Sequence, residues 1–235
     1  MSWFLIAISA HVIWSAVNLA DRYLVVRFKA SEASTLALVM FTGPRTLVIG
    51  SIIVLSHLHL VGSYGVMSMV LLVISGAIQT AGVWCYLEAL TKNETSNVVA
   101  WFLLMPIFAY ILSFFMLGEA LTILQLLGIV VIIVGALIFS LEYHAETNRH
   151  HIPRSMIVLM VTASLFLVIG DILMKKGSPD SNLFWPALGV THIGSGFFAM
   201  LFFIIPKYRN QFMRMISGTG KALFAINLSD RKSVV

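Results

Sequence analysis

Four residues near the start of the chain, His11, Trp14, Asn18 and Asp21, follow one another at spacings of three, four and three. On a helix with about 3.6 residues per turn these positions share one face. Imidazole, carboxamide and carboxylate groups on one stripe can line a polar path, with Trp14 offering a stacking surface. The same groups can instead join helices by hydrogen bonds, with Asp21 paired to Arg22. Arg45, in "FTGPRTLVIG", is a sharper anomaly because a guanidinium stands among apolar residues just after Gly43-Pro44. Its planar fork suits carboxylates, so it reads as an anchor for an anionic group or as a structural partner of Asp21 or Glu88.

Further along, Gln79 and Tyr86 are two helical turns apart and can line the same path, whereas Trp84 and Tyr86 can equally be interfacial aromatics. Asn97, Trp101 and Tyr110 follow, with Pro106 as a bend between them. Ala187, Thr191, Ser195 and Ala199 recur every four residues as a small-residue packing seam, with His192 beside it as a path candidate. His144, His150 and His151 with Glu142 and Glu146 have no fixed ligand spacing, so they read as a solvated loop and no metal or cofactor is expected. No catalytic constellation is expected either.

The elements that must position these groups follow from composition. Of 235 residues, 59% are hydrophobic and 11% charged; mean hydropathy is +0.95. Soluble domains carry about 25% charged residues. Apolar runs of about 20 residues match a hydrocarbon core of about 30 Å, and lipid requires each backbone polar group to bond within its own segment. The expected fold is all-α, a polytopic membrane helix bundle in contact with the lipid bilayer. The net charge of +5 lies in short loops and does not suggest nucleic acid. Cys85, the single cysteine, rules out an intrachain disulfide. The start "MSWFLIAISA" lacks a basic n-region and reads as a retained helix.

Spans are expected near 3–27, 34–56, 66–90, 97–117, 121–141, 155–175 and 183–205, with Ala222–Leu228 beginning another. A polar connection at 142–154 divides the chain into a first five-helix unit, 1–141, and a partial second unit, 155–228. At an offset of 150 residues Asp21 falls on Asp171, and both are followed by basic residues ("DRYLVVR", "DILMKK"). Asp171 therefore reads as a repeat landmark and a paired interfacial charge. An odd number of spans per unit would invert the second copy. The tail 229–235, "DRKSVV" at its end, matches the translation of a common sequencing-library adapter, so it reads as non-native, with the natural gene expected to continue past about Leu228.

Residues 86–138, "YLEALTKNETSNVVAWFLLMPIFAYILSFFMLGEALTILQLLGIVVIIVGALI", carry a combined pattern. It consists of "A-L" before a polar turn, Pro106 within a span, a Gly118-Glu119 hairpin, and Gly128 and Gly135 on the next span. This pattern resembles the end of a repeat of EamA-type transporters in the drug/metabolite transporter superfamily. The resemblance implies ten helices in two inverted five-helix repeats, a substrate path between them, and export of amino acids, metabolites or drugs. It covers the first unit well and 155–228 loosely, and it departs from the ten-helix pattern in most of the second repeat. Glu119 reads as structural, a carboxylate at the positive end of the fifth span. Gly128 and Gly135 share one face and read as a contact between repeats or between subunits, which leaves a homo-oligomer open. The proton-coupling glutamate of the related small multidrug exporters falls on Leu167 here, so proton coupling is not carried over.

The loops after spans one, three, five and seven hold Arg22, Arg27, Lys29, Lys92, Arg149, Arg154, Lys207, Arg209, Arg214 and Lys221, against Lys175 and Lys176 on the other face. The positive-inside rule then places the N-terminus outside, opposite to the family expectation, and topology stays open. The resulting expectation is an inner-membrane exporter of small molecules working by alternating access. The rivals are a membrane-embedded or lipid-modifying enzyme and an inactive fragment.

Overall fold

The computed structural model describes residues 2–29, 34–92, 95–147, 153–178 and 180–217, and every regular element among them is helical. α1 spans Ser2–Lys29 and α2 Thr35–Ser56; a single turn, α3 (Leu58–Val61), leads into α4, Val66–Leu90. The next span is composite, with α5 (Thr95–Ala100), a 3-10 turn at Trp101–Leu104 and α6 (Met105–Leu117). α7 covers Ile123–Thr147, α8 Arg154–Gly177 and α9 Phe184–Leu201, followed by a 3-10 turn at Phe202–Ile204 and a helix, α10, at 206–217. Five segments are long and apolar enough to cross a bilayer: Thr35–Ser56, Val66–Leu90, Thr95–Leu117, Arg154–Gly177 and Phe184–Ile204. The first and fifth expected spans coincide with α1 and α7.

Two expectations meet the structure at the helix ends. α7 continues to Thr147, so the first residues of the expected connecting loop are helical. Ala222–Leu228, the tail, His150 and His151 lie outside the described residues. Pro106 does not simply bend a continuous helix. It sits in the first turn of α6, where its missing N–H costs nothing, and the preceding 3-10 turn absorbs the change in winding.

α4 is the hub. It packs against α8 and α9, and α9 packs on its other side against α2. The close approaches run Gly82 to Ala163, Gly170 to Gln79 and Gly177 to Leu72, so α4 and α8 are antiparallel. Gly43 meets Ala199 while Gly50 meets Gly189, so α2 and α9 are antiparallel too. In lipid there is little hydrophobic drive between helices, and small residues that let backbones touch replace it. The α9 seam behaves this way: Ala187, Thr191 and Ala199 are buried. The tightest contacts come from glycines that the four-residue seam omits. A Cβ on Gly194 would stand 2.8 Å from the Val73 Cα, and one on Gly76 would stand 2.6 Å from the Ser195 nitrogen.

Candidate functional site

α1 meets α4 through a buried pair. The Tyr86 hydroxyl donates to Asn18 Oδ1 at 3.0 Å, and both residues are buried. The Tyr86 ring packs on Phe102 of the 3-10 turn at 5.2 Å between centroids, and Trp14 meets Phe102 edge-on at 6.3 Å. Phe102 thus closes an aromatic cluster around the stripe on α1, a role its sequence neighbourhood did not mark. Asp21 is half-buried one turn beyond Asn18, and its charge interacts with that of Arg45 on α2. Arg45 also acts on His192 of α9, whose side chain approaches Gly50 of α2 and bonds the Leu188 carbonyl. Asn18, Tyr86 and half-buried Asp21 thus form a polar region between α1 and α4, while Arg45 on α2 is exposed and makes no ion pair among the described residues. His11 lies exposed on the outer part of the stripe.

Glu88 is not the partner of Arg45. It accepts a hydrogen bond from Thr35 Oγ1 at 2.7 Å, and Thr35 in turn accepts from Trp84 Nε1 at 3.2 Å, which ties the start of α2 to α4. Arg22 donates to the carbonyl of Leu90 at the end of α4. Trp101 packs against the core, and its carbonyl accepts from Ser164 Oγ of α8 at 3.4 Å.

Gln79 faces a different neighbour from Tyr86. Its Nε2 donates to Asp171 Oδ1 on α8 at 3.0 Å, while Ser75 Oγ, one turn earlier, donates to the Gly170 carbonyl at 2.8 Å. Asp171 lines a cavity of about 370 Å³ between α6 and α8, walled by Pro106, Ala109 and Ser113 on one side and by Val168 and Ile172 on the other. Lys175, one turn beyond Asp171, also reaches this cavity. Its ammonium lies 2.7 Å from Glu119 Oε1 and 2.8 Å from Oε2.

That pair corrects two expectations. The basic residue following Asp171 binds Glu119 instead of Asp171, and Glu119 stands in the connection before α7, outside the helix's first turn. Gly118 makes the turn possible with φ at +69°, a region that L side chains disfavour, and the N–H groups of Gly118 and Glu119 both point to the Ser113 carbonyl. A Cβ on Gly128 or Gly135 would meet nothing within 4 Å, so among the described residues of one chain neither glycine touches another helix, and a contact between subunits is the alternative that this leaves.

The cavity walls were legible in principle. Met105, Ala109 and Ser113 recur every four residues, and Val168, Asp171, Ile172 and Lys175 follow a 0, 3, 4, 7 pattern, each a single helical face. What the spacing could not supply was that these two faces meet.

Helices of spanning length with polar groups turned toward one another define a polytopic helical membrane protein. The model of the EamA-like transporter family matches residues 1–141, and the chain belongs to that family, a membrane transporter family of the drug/metabolite transporter superfamily. Neither curated proteins nor solved structures give a match.

Proposed function

We propose that the chain is a carrier that exports small metabolites, amino acids or drugs across the cell (inner) membrane by alternating access. The path runs between two units of opposite orientation, 1–141 and the residues from 155 onward. The observation that carries this reading is the placement of α4. Tyr86 binds α1 through Asn18, while Gln79, two turns away, binds α8 through Asp171. One helix thus holds polar contacts to the opening helix of each proposed unit, which puts α4 where the two would move against each other. Asp21 and Arg45 supply charges along the same region, where a guanidinium at membrane depth costs about 3 kcal/mol unless paired or hydrated. That cost favours a hydrated path beside them.

The test is transport by the protein reconstituted in liposomes against a panel of amino acids, amines and drug-like compounds. Arg45→Ala is expected to lower transport of the accepted compound at least tenfold. Unchanged transport by this variant, for every compound that the wild type moves, would show the site assignment to be wrong.

A further inference from the structure

The groove between α6 and α8 holds a carboxylate that its surroundings leave unbalanced. Asp171 stands six residues before the end of α8, about 9 Å along the axis, facing apolar walls formed by Met105, Ala109, Val168 and Ile172. Gln79 holds one of its oxygens, but a neutral amide orients a carboxylate without cancelling its charge. The nearest helical neighbour of opposite sign, Lys175, is bound by Glu119 through both carboxylate oxygens. Among the described residues Asp171 makes no ion pair. The three charges of the groove therefore sum to minus one, with Asp171 contributing the unmatched member.

Asp171 is exposed to the groove on a helix of spanning length. With no water in the hydrocarbon core to solvate it, such a charge is costly unless a counter-charge arrives, and the uncompensated acid marks where one does. The cavity, about 370 Å³, falls within the range of about 300–1,000 Å³ usual for small-molecule sites. Its walls are predominantly apolar, with Ser113 as an additional hydroxyl. We infer that the groove between α6 and α8 recognises a small organic cation, an amine with an apolar body, whose ammonium group pairs with Asp171. Gln79 is the positioning residue that holds the carboxylate toward the groove, and Ser113 offers the ammonium a second acceptor. An anionic ligand is disfavoured because the groove's only cation is already engaged and Glu119 adds a second negative charge. This names the cargo class of the proposed carrier and so rests on that reading.

The experiment measures binding of phenethylamine to the full chain purified in detergent, with phenethyl alcohol and 3-phenylpropionate as neutral and anionic counterparts. Saturable phenethylamine binding is expected, not competed by 3-phenylpropionate, and weakened about 10- to 100-fold in Asp171→Asn, as befits loss of a charge-assisted hydrogen bond. Asp171→Glu should retain most of the affinity. Ala109→Trp, which fills the groove and leaves the carboxylate chemically unchanged, should abolish binding, and it decides the matter if Asp171→Asn fails to fold. Absence of saturable amine binding to the wild type, equal affinity in folded Asp171→Asn, or preference for 3-phenylpropionate would each overturn the inference. Amine binding without movement across liposomes would refute the carrier reading and leave the site standing. Transport of other cargo without amine binding would do the reverse.

Discussion

Tyr86 of α4 donates its hydroxyl proton to Asn18 of α1 across 3.0 Å, in a place where both side chains are buried. Tyr86→Phe leaves the Asn18 carboxamide oxygen without this donor and should destabilise the protein by about 1–3 kcal/mol. Replacing both partners, Tyr86→Phe with Asn18→Leu, should cost less than the sum of the single changes, because no buried polar group is then stranded. Thermal denaturation in detergent of the four members of this cycle measures the coupling. Additive single effects would mean that the bond does not hold α1.

Glycines of the bundle should separate into two classes by what lies opposite them. Gly194→Ala places a methyl 2.8 Å from the Val73 Cα, a backbone atom that cannot swing aside, so α9 must withdraw from α4. A loss of about 1–3 kcal/mol is expected, the usual cost of overpacking. Gly128→Ala faces open space, and helix propensity alone predicts a gain of up to about 1 kcal/mol. Denaturation midpoints of the two variants provide the comparison. A destabilised Gly128→Ala would mean that something outside the described residues packs on that face of α7.

Thr191 is 1% exposed, and its hydroxyl oxygen has no hydrogen-bond partner. The neighbouring hydroxyls of Thr80 and Ser195 both donate to the Gly76 carbonyl, which leaves that acceptor occupied. Thr191→Val keeps the shape and removes the unsatisfied group, so it should stabilise the protein by about 1 kcal/mol. A fall in the melting temperature would instead reveal a bond made by Thr191 when the protein is in lipid.

Much of this fold is readable without coordinates. The five spans recognised by length and composition begin and end within a few residues of the apolar runs, because a bilayer sets the same length for each. The stripe of α1 was readable as a single face, and Asn18 and Tyr86 both stood out as intramembrane polar groups. The partnership of Lys175 with Glu119 was not readable, because the whole of α7, a connection and most of α8 separate them in sequence. Aspartate followed by lysine one turn later suggested a local pair, and a residue 56 positions away won the contact.

Hydrophobicity and helical period, both local properties, determined that the protein is a bundle of membrane helices and which faces carry its polar groups. Tertiary structure decided which faces meet. Gln79 and Tyr86 lie on one helix two turns apart, yet one reaches α8 and the other α1, because α4 occupies the middle of the bundle and α1 joins α8 as a neighbour toward its C-terminal end. Such pairing depends on backbone approach at glycines such as Gly76 and Gly194, where contact is set by two helices at once and is written in neither alone.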